Sequence, residues 1–297
     1  MNNPDSVPDI PPAVQPALTL AASLLAQAGS DTPRLDAELL LAHVLRKERT
    51  WLYTYPTAPL TGRQRAGFLR LLRRRLRREP MAYILHRREF FGLTLRLNRR
   101  VLVPRPETEL LVETALEIAG KRAWLSPRVV DVGTGSGCIA VALATRLPGA
   151  RLAAVDRSAA ALKVARYNAA ACGAVDRVHF WQGHLAQALT GPVDMLVSNP
   201  PYVARPALEE GNLSPEVTRH EPRLALDGGP DGLEVIRELL AQARRLLGAD
   251  GAVVVEIGAD QGEAARQLGQ AAFPQAVVEI RRDLAGLDRL LVIQQVK

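Results

Sequence analysis

The sequence contains little cysteine and lacks any long apolar run. Only two of its 297 residues are cysteine, Cys138 and Cys172, which excludes a disulfide framework and a multi-cysteine zinc site. The five histidines show no metal-ligand spacing, so the sequence predicts no bound metal. No apolar run reaches the ~18 residues that a membrane-spanning helix requires. Residues 1–16 lack the basic region and apolar core of a secretion signal, so we expect a cytoplasmic protein without membrane association.

Lysine is also scarce, because only four of the 38 basic residues are lysine and the others are arginine. The net charge of +7 would by itself favour a nucleic-acid-binding protein. The excess is confined to residues 61–100, which carry thirteen arginines and two acids, whereas the rest of the chain has a net charge of −4. Eight of these arginines lie between Arg63 and Arg78. They form either a solvated face or a docking surface for an acidic protein or for RNA.

The hydrophobic pattern divides the chain into four segments. Residues 1–16 contain five prolines and no periodic apolar pattern, which predicts a flexible tail. Residues 17–80 have apolar residues at helical spacing, which predicts a small helical domain. Residues 81–103 contain an alternating run at 90–98, followed by an apolar run at 101–103. This pattern predicts a β-hairpin that connects the helical domain to the fourth segment.

The fourth segment, residues 104–297, has the rhythm of an α/β domain. An amphipathic helix is predicted from Glu107 to about Ala119, and short apolar runs then alternate with helical patterns. This alternation predicts a parallel sheet with helices on both faces. The predicted strands are 128–132, 152–155, 178–181, 194–198 and 252–257, and the last two runs, 276–280 and 289–294, are expected to form an antiparallel edge pair.

A glycine-rich turn and an acidic residue follow the first two of these strands. The turn is Gly133-Thr134-Gly135-Ser136-Gly137. Glycines permit positive φ and close backbone approach to a ligand, and open parallel sheets bind ligands at the carboxyl ends of their strands. An NAD fingerprint has glycine where this sequence has Cys138. Asp156 ends the next strand, where a carboxylate accepts hydrogen bonds from the ribose hydroxyls of an adenosine-bearing cofactor.

The most informative motif follows the predicted strand 194–198 and reads Asn199-Pro200-Pro201-Tyr202. The Asn199 side-chain oxygen and the Pro200 carbonyl can both accept from one planar NH₂ group, and the Tyr202 ring can stack on that group. An amide nitrogen is a poor nucleophile because its lone pair is delocalised. Two acceptors that favour a pyramidal nitrogen therefore promote its attack. Together with the glycine-rich turn, this motif predicts an S-adenosylmethionine-dependent methyltransferase that acts on a planar nitrogen.

The same segments carry a family resemblance, which extends from about Leu35 to Ile293. It rests on the runs Arg34-Leu-Asp-Ala-Glu-Leu-Leu-Leu, Val101-Leu-Val-Pro-Arg-Pro-Glu-Thr-Glu109, Asp131-Val-Gly-Thr-Gly-Ser-Gly-Cys138, Asn199-Pro-Pro-Tyr202 and Glu221-Pro-Arg-Leu-Ala-Leu-Asp-Gly-Gly-Pro-Asp-Gly-Leu233. In these runs the chain resembles the protein-(glutamine-N5) methyltransferases that modify class I peptide chain release factors.

This resemblance implies a Rossmann-like class I methyltransferase sheet, preceded by a helical substrate-recognition domain and a β-hairpin connector. It also implies methyl transfer from S-adenosyl-L-methionine to the glutamine of the Gly-Gly-Gln motif of class I release factors, with no direct nucleic-acid binding. The turn from Gly133 to Gly137 and Asp156 would bind the cofactor. Asn199, Pro200 and Tyr202 would be the catalytic residues and would bind the substrate glutamine together with Pro201.

Three positions depart from the family pattern. His184 stands where the family usually has an acidic residue that contacts adenine, and Leu185 follows where an aromatic residue is common. A neutral histidine can still bind adenine by a hydrogen bond, so we expect both residues to contact the cofactor. His86 stands where the connector more often has glycine.

Two other substrates remain open from the sequence. Sister enzymes that methylate a glutamine of a ribosomal protein resemble this chain but usually differ in the Pro-Arg-Pro-Glu-Thr-Glu segment. A nucleic-acid amino-methyltransferase would use the same Asn-Pro-Pro-Tyr turn, but it would favour a basic face around the cleft and a base-flipping target domain.

Overall fold

The computed structural model describes residues 7–211 and 213–296, and these residues form two compact units. The helical unit contains the residues up to His86 together with Ser214–His220, and the α/β unit contains the remainder. Relative to the predicted boundaries, the helix after residue 80 belongs to the helical unit and the hairpin belongs to the α/β unit. The return of the chain to the helical unit at 214–220 has no counterpart in the sequence pattern.

The described residues form twelve α-helices: α1 (Val14–Gln27), α2 (Pro33–Leu45), α3 (Arg49–Thr54), α4 (Gly62–Leu76), α5 (Met81–Leu85), α6 (Glu109–Lys121), α7 (Cys138–Arg146), α8 (Ala159–Ala171), α9 (Arg205–Glu209), α10 (Pro215–His220), α11 (Glu234–Leu246) and α12 (Gly262–Ala272). Their strands are β1 (Arg87–Phe90), β2 (Leu93–Arg96), β3 (Arg128–Val132), β4 (Arg151–Asp156), β5 (Val178–Gln182), β6 (Val193–Ser198), β7 (Leu247–Glu256), β8 (Val277–Arg282) and β9 (Asp288–Gln294). Short 3₁₀ turns lie at Pro106–Thr108 and Arg223–Ala225.

The core of the helical unit is built from the apolar faces that the helical spacing predicts. Leu18 on α1, Leu40 on α2 and Phe68 on α4 are fully buried in one cluster. Helix α4 begins with a capping box, in which Thr61 and Gln64 exchange hydrogen bonds between side chain and backbone. This cap satisfies two backbone donors at the start of the arginine-rich helix.

The predicted flexible tail is wrong for residues 7–16; residues 1–6 lie outside the described residues. Ile10 is only 3% exposed, and helix α1 already begins at Val14. The Pro12 carbonyl accepts a hydrogen bond from the Leu60 backbone N–H at 2.7 Å. Proline lacks an N–H but keeps its carbonyl, so this proline-rich segment can still be fixed by its acceptors. Composition alone does not reveal such long-range pairing.

The arginine-rich segment is only partly a solvated face. Arg75 is 7% exposed and donates to Asp36 at 2.7 Å and to Glu216 at 2.9 Å. Arg74 donates to both carboxylate oxygens of Glu79, at 2.7 and 2.8 Å. A buried charge without its partner would be strongly destabilising, so these arginines serve the helical unit itself. A docking surface on this segment therefore has to use its other arginines.

The hairpin is confirmed, but its strands lie earlier than the sequence pattern predicts. Phe90 pairs with Leu93, and the two turn residues Phe91 and Gly92 have φ of 51° and 75°. A two-residue turn of this kind requires positive φ at both central positions. The alternating run at 90–98 therefore crosses the turn, and the described residues 101–103 are not part of a strand.

His86 ends α5 with a φ of 58°. This is the left-handed region, which glycine adopts at no steric cost and other residues adopt with strain. The backbone conformation therefore gives a physical reason for the glycine that the family more often has at this position.

The sheet of the α/β unit has the strand order β5-β4-β3-β6-β7-β9-β8. The strands from β5 to β7 are parallel, and β9 is antiparallel to both of its neighbours. The predicted parallel sheet and the late antiparallel pair are confirmed. One buried apolar cluster contains Val129, Met195 and Val254, and the other contains Val130, Leu196 and Val253. Because side chains alternate along a strand, both faces of the sheet are covered. Within the described residues, no helix has the length and apolar character needed to span a bilayer.

Candidate active site

A cavity of about 200 Å³ lies at the carboxyl ends of the central strands. After β3 the chain builds β4 and β5 on one side and then β6 and β7 on the other, so the cavity lies at the switch point where open α/β sheets bind ligands. Its wall includes Arg100, Val101, Leu102, Pro104 and Thr108 from the segment before α6, and Gly133, Thr134, Gly135, Ser136, Asp156, His184, Leu185, Asn199 and Pro201 from the strand ends.

The glycine-rich turn has the conformation that its sequence predicts. Gly133, Gly135 and Gly137 all have positive φ, between 55° and 81°. The Gly133 N–H donates to the Val155 carbonyl at 2.8 Å. A Cβ added at Gly133 or Gly135 would meet no atom closer than 3.8 Å, so the turn leaves free space on its cavity side. This turn is therefore a preformed cradle for a ligand.

Asp131, on β3, stabilises the glycine-rich turn through hydrogen bonds. Its Oδ2 accepts from Thr134 Oγ1 at 2.6 Å and from the Ala140 N–H at 3.1 Å, while its buried Oδ1 has no partner within the described residues. Burial raises the pKa of Asp131 to about 7. This carboxyl shapes the turn and does not line the cavity.

Asp156 lies where β4 ends, as predicted, and it lines the cavity. Its two oxygens accept from the Gly135 N–H at 2.9 Å and from the Ser158 N–H at 2.8 Å. Burial raises its pKa, and these two hydrogen bonds oppose the shift. Because a carboxylate has about four lone-pair sites, Asp156 can hold the turn and still accept from two ligand hydroxyls.

Asn168 connects the hairpin to the glycine-rich turn, a role that the sequence did not reveal. This side chain on α8 is 1% exposed. Its Nδ2 donates to the carbonyls of Ser136 and Arg96, at 2.8 and 3.1 Å, and its Oδ1 accepts from the Arg96 N–H at 2.8 Å. A lone amide among the alanines of α8 was the only signal available in the sequence.

The Asn199 side chain belongs to a hydrogen-bond network with Thr108, Glu256 and Tyr202. Its Nδ2 donates to Thr108 Oγ1 at 3.1 Å, and Thr108 Oγ1 donates to Glu256 Oε2 at 2.7 Å. The Tyr202 hydroxyl donates to the other oxygen of Glu256 at 3.3 Å. Burial raises the pKa of Glu256 to about 7, and burial together with Glu256 raises the pKa of Tyr202. Sequence reasoning assigned no role to Thr108 or Glu256, although an acid at the end of the apolar strand β7 is a detectable signal.

The predicted site residues occupy two kinds of position. Most of them line the cavity, whereas Gly137, Pro200 and Tyr202 lie outside its wall. Gly137 packs against α8, and Tyr202 is turned towards Glu256. His184 lines the cavity and lies 2.9 Å from Glu238. Among the described residues, no group of three His, Cys, Asp or Glu side chains is placed to hold a metal ion.

We expect the substitution Gly137→Ala to weaken cofactor binding by about tenfold or more. Gly137 has a φ of 81°, and an added Cβ would lie 3.1 Å from the Cβ and 3.2 Å from the Cα of Ala165. The matched control is Gly173→Ala, which also has positive φ, of 68°, but has open space around the added Cβ. Both changes cost about 1–2 kcal/mol for the left-handed backbone, but only Gly137→Ala displaces the turn. Calorimetric titration with S-adenosylmethionine measures the affinity, and equal affinities for the two variants would contradict the expected role.

Comparison with known proteins agrees with this geometry. A family profile described as the PrmC N-terminal domain matches residues 16–85, and one described as the methyltransferase small domain matches residues 106–221. The release factor glutamine methyltransferase of Bordetella pertussis is 46% identical over 275 residues, which cover 92% of this chain and 98% of the relative. That of Chlorobaculum tepidum is 45% identical over 267 residues, covering 87% and 89%. The hMettl16 catalytic domain in complex with MAT2A 3′UTR hairpin 6 covers 76% of this chain and 82% of its own at 17% identity, and its TM-score of 0.56 shows the fold alone.

The sheet, the preformed turn and the domain match define an S-adenosylmethionine-dependent methyltransferase with a Rossmann-like class I fold. The residues around the cavity fit this cofactor, because a positive-φ glycine cradle lies beside a carboxylate that can accept from ribose hydroxyls. By its relatives, the chain belongs to the release factor glutamine methyltransferase family. The predicted fold class and family are therefore confirmed.

Proposed function

We propose that this chain transfers the methyl group of S-adenosyl-L-methionine to the N5 nitrogen of the glutamine in the Gly-Gly-Gln motif of class I peptide chain release factors. The observation that carries the proposal is the orientation of Asn199 beside the glycine-rich turn. Asn199 lines the cavity, and its Nδ2 donates to Thr108. Its acceptor oxygen therefore lies on the side of the amide that faces away from Thr108. Relatives named release factor glutamine methyltransferase support the same activity.

Methylation would form an N–C bond as the methyl–sulfur bond of the bound cofactor breaks, and one N–H proton would then leave the nitrogen to water. The residues of this chain activate the nitrogen through hydrogen-bond acceptors. Asn199 Oδ1 and the Pro200 carbonyl accept one hydrogen bond each from the two N–H groups of the glutamine amide. These bonds strengthen as the nitrogen becomes pyramidal and positively charged, so they stabilise the transition state more than the ground state. Tyr202 lies outside the cavity wall with its hydroxyl fixed by Glu256, and in this proposal its ring packs against the amide once the glutamine is bound. Pro201 lines the adjacent wall of the cavity.

The cofactor-binding residues lie on the other side of the cavity. When bound, S-adenosylmethionine supplies an electrophilic methyl group on a positively charged sulfonium. The turn from Gly133 to Gly137 would admit the close approach of the ligand, and Asp156 would accept from its ribose hydroxyls. His184, held by Glu238, and Leu185 line the same cavity and would contact the adenine.

The protein partner in this proposal is a release factor. Arg74 and Arg75 are occupied by ion pairs with Glu79 and Asp36. The arginine-rich segment can therefore contribute to docking only through its other arginines. Because release factors act in translation, a cytoplasmic location belongs to the same proposal. The charge distribution gives no support for a nucleic-acid substrate, since the excess positive charge lies in residues 61–100 and the rest of the chain is slightly acidic.

A parallel labelling experiment tests the proposed substrate. The enzyme is incubated with radiolabelled S-adenosylmethionine and with a class I release factor, a ribosomal protein substrate of the sister enzymes, or DNA. We expect label in the release factor alone. Label in the ribosomal protein alone would favour the sister activity, and label in DNA alone would favour an amino-methyltransferase of nucleic acids. Either result would reject the proposal.

A further inference from the structure

Two successive hydrogen bonds link Glu256 through Thr108 to Asn199. When Glu256 is ionised, only one assignment of donors and acceptors is possible for them. A carboxylate is an acceptor only, so Thr108 has to donate its single hydroxyl proton to Glu256. The Thr108 oxygen then has only lone pairs left for Asn199, and it must accept from the Asn199 NH₂ group. The distances of 2.7 Å and 3.1 Å agree with two successive hydrogen bonds. The Asn199 oxygen is thereby turned to the opposite side of the amide.

A protonated Glu256 would remove this constraint. Its carboxyl proton could be donated to Thr108, and the Thr108 hydroxyl would then be free to donate to the Asn199 oxygen. The Asn199 amide would be reversed and would present its NH₂ group to the substrate amide. Two NH₂ groups that face each other form no hydrogen bond, so this orientation supplies no acceptor to the reacting nitrogen.

We propose that Glu256 is a positioning residue whose carboxylate, acting through Thr108, fixes the Asn199 amide so that its oxygen faces the substrate nitrogen. The inference rests on the proposed function and deepens it, because it explains how the site distinguishes the two ends of an asparagine amide. Glu256 is 2% exposed at the end of β7, and the buried Thr108 lies in the 3₁₀ turn before α6. Both side chains are held by the rigid sheet and its flanking turn, as a positioning role requires.

The surroundings of Glu256 place its titration close to neutral pH. Burial raises its pKa to about 7; the charge of Glu107 adds to this shift, whereas Arg289 and the hydroxyls of Thr108 and Tyr202 oppose it. The nearby Cys138 has its own pKa raised to about 12 and stays neutral in this range. Because the ionised form gains population as the pH rises through about 7, the productive orientation of Asn199 gains population in the same direction.

The test is the pH profile of kcat/KM for release-factor methylation in Glu256→Gln beside wild type. A glutamine can offer either its oxygen or its NH₂ group to Thr108, so the donor and acceptor roles of the Thr108 hydroxyl are no longer fixed. We expect kcat to fall about tenfold or more, with the 10²–10³-fold loss typical of removing one preorganised group at the reacting atoms as the upper bound. The affinity for S-adenosylmethionine should stay within about twofold of wild type. In wild type kcat/KM should rise through an inflection near pH 7, and this inflection should be absent from the variant.

Two substitutions at Thr108 keep the proposal testable even if Glu256→Gln folds poorly. Thr108→Ser retains the hydroxyl and should retain both the rate and the pH inflection. Thr108→Val keeps the side-chain volume but removes the hydroxyl that links Glu256 to Asn199. It should therefore lower kcat about as much as Glu256→Gln. The double variant should be no slower than either single variant, because the two changes disrupt one unit. The control Glu263→Gln removes an exposed carboxylate on α12 and should leave the rate and the profile unchanged.

The proposal is overturned if Glu256→Gln or Thr108→Val keeps the wild-type rate and pH inflection. It is also overturned if the two losses simply add in the double variant. Failure of the proposed function has a different signature, because wild-type enzyme would then transfer no methyl group to the release factor at any pH.

Discussion

The substitution Asn199→Ala is expected to reduce methyl transfer by about 10²–10³-fold, the range for removal of one preorganised hydrogen-bonding group from an active site. In the proposed mechanism the variant loses the acceptor for one N–H group of the substrate amide, and the Pro200 carbonyl alone would not hold the nitrogen in a reactive orientation. Turnover is measured with a labelled methyl donor and a release factor. Cofactor affinity is measured separately by calorimetry and should remain within about twofold of wild type.

This separation of turnover from binding is the informative result. Asn199 lines the cavity through the segment after β6, whereas the proposed cradle for the cofactor is the glycine-rich turn after β3. The control Gln267→Ala removes an exposed amide on α12 that contacts Glu263, and it should change neither quantity. Wild-type turnover by Asn199→Ala would reject the role of this amide, and a parallel loss of cofactor affinity would assign it a binding role instead.

The substitution Asp156→Ala is expected to weaken S-adenosylmethionine binding by roughly 10²-fold. Hydrogen bonds to a charged group contribute about 1.5–3 kcal/mol each, and 1.4 kcal/mol corresponds to a tenfold change in Kd. The variant loses the proposed acceptor of the ribose hydroxyls and also the acceptor of the Gly135 N–H, so the turn itself is no longer fixed. Calorimetric titration with the cofactor measures the change.

A conservative variant separates these two effects at Asp156. Asp156→Asn keeps the shape and one acceptor oxygen, which can still accept from the Gly135 N–H while the bond from the Ser158 N–H is lost, so the turn should be retained and the loss should be about tenfold. Asp176→Ala, an exposed acid before β5, should bind the cofactor as wild type does. A Kd for Asp156→Ala equal to that of wild type would show that the carboxylate does not contact the cofactor.

Features with local causes could be predicted from the sequence. The central parallel strands β3 and β6 are buried on both faces and therefore read as short apolar runs, and β3 at 128–132 lies where it was predicted. The glycine-rich turn and Asp156 were found because they directly follow such runs. The hairpin was misplaced because Phe91, a residue that seldom adopts positive φ, forms the turn together with Gly92.

Features with distant partners could not be predicted. Arg75 reads as one of many surface arginines, but its partner Glu216 lies 141 positions further along the chain. Likewise, Thr108 and Glu256 are 148 positions apart, and their contact with Asn199 exists only after the sheet has assembled. Residues proposed to touch the ligand are thus marked in the sequence by local motifs, whereas the residues that orient them are not.

The most direct test of the central claim is to locate the added methyl group by mass spectrometry after the enzyme has acted on an unmethylated class I release factor. The account predicts one added methyl group, on the side-chain nitrogen of the glutamine in the Gly-Gly-Gln motif, and none on a release factor in which this glutamine is replaced by glutamate. A methyl group on any other residue, or undiminished labelling of the glutamate variant, would contradict it.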